Sequence, residues 1–225
     1  MGGILGRPKQ HRGDGKVVAI TGCSKGGIGY ALAEEYARRG AKVFATARQV
    51  EALAGLQEQG VSTVKLDVTN EDDIKSAVDV IVKSAGQIDI LVNNAGVLIM
   101  GPVADLPLSS WRHGFETNLL GAVAMAQAVF PHMAERRSGP MGAVYSASKA
   151  AFTAATNCMR MEMKPFPLPP LASPTFLNHR PMGAVYSASK AAFTAASNCM
   201  RMEMKPFGIK VVLATPGLIK TELFG

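Results

Sequence analysis

Residues 16–40 read KVVAITGCSKGGIGYALAEEYARRG. The run Lys16–Ile20 is almost wholly apolar and does not alternate with polar residues, the pattern of a strand buried on both faces. Four glycines then fall within Thr21–Gly29, and the stretch 29–40 is amphipathic at helical spacing and closed by Gly40. A strand, a glycine loop and a helix in that order form a phosphate cradle. Glycines let the chain turn tightly and let a pyrophosphate approach the backbone, while the helix start supplies free N–H groups and the positive end of its dipole. A glycine-rich run alone says little; its placement between strand and helix gives it weight.

Working outward, the alternation continues. KVFATA (42–47) predicts a second strand and VEALAGLQEQG (50–60) a helix; STVKLDV (62–68), NEDDIKSAVDVIVKSAG (70–86) and IDILVNNAG (88–96) repeat the pattern, and a long helix spans about 108–136. Val- and Ile-rich strands alternating with helices predict an α/β doubly wound parallel sheet, a Rossmann-type three-layer sandwich.

The chain has 225 residues, enough for one well-cored domain and short for two. The expected division is a basic tail over 1–15 and a single domain over 16–225. A net charge of +7 favours phosphate-bearing ligands or an anionic membrane surface, and the absence of aromatic residues interleaved with a basic stripe argues against nucleic acid. Three cysteines, Cys23, Cys158 and Cys199, are an odd number that suits a reducing compartment better than a disulfide framework. No apolar run reaches the roughly 18 residues of a spanning helix. The N-terminus lacks a signal-peptide core, and Gly6 stands where a myristoylation motif needs Ser or Thr.

The end of the second strand bears on cofactor choice. A site that prefers NAD offers a carboxylate there for the ribose hydroxyls, whereas this chain has Ala47 and Arg48 with no acidic residue before Glu51. Arg48, with Lys25 in the glycine loop, suits the 2′-phosphate of NADP(H); the plainer alternative is two ordinary surface cations.

TGCSKGGIG, LDV with Asp67, NNAG (93–96), TNLLG with Asn118, YSASK and PGLIKT (216–221) occur in one order along the chain. Together they resemble the short-chain dehydrogenase/reductase family, and in finer wording its fungal NADPH-dependent 1-acyldihydroxyacetone-phosphate reductases. That resemblance implies hydride transfer from NADPH to a ketone, yielding a lysophosphatidate at the endoplasmic reticulum or lipid droplet surface, and a small-molecule lipid or apolar ketone as substrate. Steroid- and retinoid-type reductases share much of the wording, and the tyrosine helix often lies at a homodimer interface in the family. Gly22, Ser24, Lys25, Gly27, Ile28 and Gly29 would cradle the phosphates, and Asp67 the adenine. Asn93, Asn94, Ala95 and Gly96 would line the ribose, and Pro216, Gly217 and Thr221 would close over the carboxamide. Asn118 matches the family's asparagine that kinks the long helix and holds a relay water.

The tyrosine–lysine pair occurs twice. PMGAVYSASKAAFTAATNCMRMEMKPF spans 140–166 and returns over 181–207 with Thr156 replaced by Ser197, across a Pro-rich linker at 167–180. A tyrosine titrates at about 10 unassisted, and a lysine one helical turn later can lower that and make the phenol a usable acid–base. Tyr186 and Lys190 are the expected pair, because their copy runs straight into GIKVVLATPGLIKT, which reads as the next strand and nicotinamide loop. Tyr145 and Lys149 are the alternative. The family's strand before the tyrosine helix, ending in a carbonyl-polarising serine, has no clear counterpart. His132 holds that spacing before Tyr145 but lies inside the long helix, and Ser173 holds it before Tyr186 but among prolines. One strand missing, one extra helix and a stop at Gly225 resemble a rearranged reductase, so a cofactor-binding protein without activity stands beside the reductase reading.

Overall fold

The computed structural model describes residues 15–101, 105–134 and 184–214. Four parallel strands form its sheet in the order β3-β2-β1-β4: β1 Val17–Ile20, β2 Lys42–Ala47, β3 Ser62–Lys65 and β4 Ile90–Val92. The chain steps outward from β1 to β3, then returns to lay β4 on the far side of β1. The strand order therefore reverses between β1 and β4, and the crevice beyond their carboxyl ends is where such sheets receive ligands.

The strands' alternating side chains sort the core into two layers. Val18, Ile20, Val43, Ala45 and Ala47 face α1 (Ile28–Arg38) and the buried Leu53 and Leu56. Val17, Ala19 and Phe44 face the opposite way, against α2 (Glu71–Ala85) and α4 (Gly121–Ala134). The sheet is thus covered on both faces, as the unalternating apolar strands require. Each large side chain removed from water here contributes about 1.5–3 kcal/mol before entropy is counted.

Local signals set several ends. Asn70 caps α2 by accepting from the N–H groups of Asp72 and Asp73, and Gly86 closes it at φ +74°. The helix expected over 50–60 is replaced by two short 3₁₀ turns, Val50–Leu53 and Gln57–Gln59. Between them Ala54 is extended and Gly55 has φ +89°, while the Tyr30 hydroxyl holds the Ala54 carbonyl at 2.9 Å. The break lets both Leu53 and Leu56 reach the core.

The long helix begins as α3 (Leu108–Phe115), widens to a π turn over Glu116–Leu120, and continues as α4. The last helix, α5 (Ala184–Met204), packs through Ala192 and Ala196 on Leu119, with Phe115, Val123, Phe193 and Met200 around them. The strand expected beyond it does not form within the described residues: 209–214 carries no strand pairing and Val212 is exposed. No helix among the described residues is long and apolar enough to cross a membrane.

Candidate active site

The glycine loop is built around Thr21 at the end of β1. Its buried hydroxyl accepts from the N–H groups of Asn94 and Ala95, both at 3.0 Å, which locks the loop after β4 beside the loop after β1. Asn94 completes the lock by donating its amide to the carbonyls of Thr21 (2.9 Å) and Gly22 (2.8 Å). Gly22 has φ +70°, and a Cβ there would lie 2.7 Å from the Ala95 Cα, so both conformation and space demand glycine. Gly29 lies equally close to the same group, a Cβ there falling 2.5 Å from the Asn94 amide nitrogen. Ser24 and Lys25 are exposed on the loop, which is tied to the 3₁₀ turn by a bond from the Lys25 N–H to the Ala52 carbonyl at 2.9 Å. Gly27 caps α1 without any side-chain partner for the helix N–H groups, and Ile28 starts the helix. Those uncapped donors are what an anion would bind.

Arg48 emerges exposed from β2, and Asp67 follows β3. Partial burial pushes the Asp67 carboxyl up. Bonds from the Thr69 N–H (2.9 Å) and hydroxyl (2.7 Å), with the charges of Arg48 and His113, outweigh this and hold it below the ordinary aspartate range. A charged carboxylate, an arginine and the α3 histidine thus share the far end of the crevice.

At the near end, Asn118 sits buried in the π turn. Its Oδ1 accepts from the Val97 N–H at 2.7 Å, and its Nδ2 donates to the Val97 carbonyl and to the Ser189 hydroxyl, both at 3.0 Å. The turn widens the helix at the residue whose amide must reach sideways to the loop after β4. Lys190 extends towards the same place. A Cβ on Gly96 would meet Asn118 Oδ1 at 3.1 Å and Lys190 Nζ at 3.4 Å, so only a bare α-carbon leaves this corner open. The Lys190 ammonium stands 5.5 Å from the centre of the Tyr186 ring, and burial alone depresses its pKa below the usual lysine value. Tyr186 remains more than one-third exposed.

The structure brings together Tyr186, Lys190, Asn118 and Gly96, and at the other end Arg48 and Asp67. Asn93 turns its amide to the Ala122 carbonyl at 3.0 Å and serves the α4 packing rather than the crevice. His132 is inside α4, where the spacing argument put it. Tyr145, Lys149, Ser173, Pro216, Gly217 and Thr221 lie outside the described residues, as do residues 1–14 of the tail and the Pro-rich linker. Thr21 and Ser189 were not singled out in the sequence; each is one hydroxyl among many, and only the fold shows which loops they join.

The family model for short chain dehydrogenase matches residues 16–167 and 171–225. The chain belongs to the short-chain dehydrogenase/reductase family. A short-chain dehydrogenase/reductase of Pestalotiopsis microspora is 38% identical over 151 residues, covering 67% of this chain and 54% of that protein. The NADPH-dependent 1-acyldihydroxyacetone phosphate reductase of Schizosaccharomyces pombe is 39% identical over 166 residues, covering 67% and 56%. A short-chain dehydrogenase structure from Streptomyces avermitilis superposes with a TM-score of 0.70 at 31% identity, covering 94% of this chain and 69% of that one. This short-chain dehydrogenase/reductase chain spans a little over half the length of those two fungal relatives. The family's members are oxidoreductases acting on CH–OH groups with a nicotinamide cofactor, and the residues described here fit that group. The start of α1 carries N–H groups with no side-chain cap, free to bind a phosphate; Gly22 lets the loop after β1 close on Ala95, and Gly96 leaves room beside Asn118 and Lys190.

Proposed function

We propose that this chain is an NADPH-dependent carbonyl reductase acting on an acylated dihydroxyacetone phosphate, giving the 1-acylglycerol 3-phosphate. The observation that carries the reading is the convergence of Lys190 and Asn118 on Gly96 beyond β4, with the Tyr186 ring centre 5.5 Å from the Lys190 ammonium. The cofactor, when bound, supplies the hydride. In this reading the Tyr186 phenol gives its proton to the ketone oxygen, and the neighbouring Lys190 ammonium favours that transfer by stabilising the phenolate left behind. Asn118 holds the loop after β4 at a fixed distance from α5.

NADPH rather than NADH is supported by Arg48 at the end of β2 and by the lack of a carboxylate before Glu51. The substrate reading leans on the fission-yeast relative's name and on a net charge of +7, which suits a phosphorylated lipid and the anionic surface of the endoplasmic reticulum or a lipid droplet. A second reading, cofactor binding without turnover, is favoured by one observation. Among the described residues the only serine hydroxyl bonded to the Tyr186–Asn118 group is Ser189, which is fully buried and closed to substrate.

The test titrates purified protein with NADPH and NADH, then adds the acylated ketone and follows the reduced-nicotinamide absorbance. Tighter NADPH binding and ketone-dependent oxidation are expected, and Tyr186→Phe should cut turnover about 10²–10⁴-fold without weakening cofactor binding. Binding without oxidation overturns the reductase reading in favour of the second. Turnover that survives Tyr186→Phe but falls with Tyr145→Phe overturns the assignment of the pair.

A further inference from the structure

Ser189 precedes Lys190 in the chain and has no exposed surface. Its hydroxyl accepts from Asn118 Nδ2 at 3.0 Å and donates to the Tyr186 carbonyl, one turn back along α5, at 2.9 Å. The other polar contacts of Asn118 go to the backbone of Val97. A continuous chain of bonds therefore runs from the loop after β4, through the π turn, to the turn of α5 that carries both Tyr186 and Lys190. Serine inside a helix ordinarily bonds backward along its own helix and weakens it, so a hydroxyl that also reaches across to another helix has a tertiary use. Moving Ser189 moves Lys190 with it, because the two share a peptide bond.

We propose that Ser189 is a positioning residue: by fastening α5 to Asn118 it keeps the Lys190 ammonium beside Gly96, where the nicotinamide-side ribose would lie. The inference rests on the reading of Tyr186 and Lys190 as the working pair. Removing the hydroxyl leaves one buried Asn118 N–H unpaired and frees α5 to shift along the π turn.

Packing alone would also make a small residue desirable here, and a double-substitution cycle on NADPH binding separates the two roles. Dissociation constants are measured by nicotinamide fluorescence for wild type, Ser189→Ala, Lys190→Met and the double variant. If Ser189 acts through Lys190, Ser189→Ala weakens binding about 5–10-fold in the wild-type background and less than about 2-fold in the Lys190→Met background. Equal losses in both backgrounds, or no loss in wild type, overturn the proposal. Should Ser189→Ala fail to fold, Ser189→Cys, close in volume but a weak acceptor, takes its place with the same two outcomes. A wild-type protein that binds no NADPH sinks the proposed function and this inference together; bound NADPH with equal losses sinks this inference alone.

Discussion

Lys190 carries a positive charge into the corner between Gly96 and Tyr186, and burial lowers its pKa relative to the unfolded chain. The sign follows from linkage. Below the folded-state pKa the side chain is charged in both states, and the folded state bears the desolvation cost in full. The cost fades as pH rises through the folded pKa towards the unfolded value of about 10.4. Lys190→Met should therefore unfold at higher urea than wild type near neutral pH while losing NADPH affinity, and the gap should narrow as pH approaches about 10. Urea midpoints from pH 7 upward check this; a gap that does not narrow would show that ionisation is not its source. Lys190 and Tyr186 were legible in the sequence because one helical turn separates them, and Asn118 through its place in the ordered motifs. Ser189 and Thr21 were not, since their partners lie far along the chain and nothing local marks a serine or threonine that joins two loops.

At the scale of elements, α5 depends on close fit. A Cβ on Gly114 of α3 would come within 2.6 Å of Val185 Cγ1, so the two helices meet where one has no side chain. Ser197 of the same helix is buried as well, and it is the single position at which the two copies of the repeat differ. Threonine there adds a methyl to a packed interior, an overpacking that typically costs about 1–3 kcal/mol. Ser197→Thr should accordingly lower the thermal midpoint by several degrees; an unchanged midpoint would mean this slot does not distinguish the sequences of the two copies. Elements whose signals are local were legible: β2 spans KVFATA as read, and α2 is bounded by its Asn cap and its closing glycine. Residues 50–60 depart from the single helix expected of them because the apolar spacing of Leu53 and Leu56 fits two turns as well as one helix, and the positive φ of Gly55 decides between them. The strand expected over 209–214 is absent for a non-local reason: an apolar pattern does not say whether the chain lies alongside a sheet edge.

Across the whole molecule, the two core layers meet at the crevice where β1 and β4 part, and the groups that would touch a dinucleotide come from β1, β2, β3, β4 and α5 in turn. The layered sheet was legible because β1 and most of β2 are apolar without alternation and helices follow the strands, whereas the joining of distant loops at Thr21 was not. Cys23 stands at the centre of this arrangement, fully buried in the α1-side core directly after the loop's first glycine. Burial drives its thiol up to about 12, so a thiol reagent at neutral pH meets neither an accessible sulfur nor a thiolate while the fold is closed. The residue is therefore a clock. In a Cys158→Ser/Cys199→Ser background, the rate of labelling counts how often the crevice and its α1 wall come apart. NADPH at a hundred times its dissociation constant should slow that clock about a hundredfold if opening and release are one event. A labelling rate indifferent to NADPH would mean that the wall opens with the nucleotide still in place.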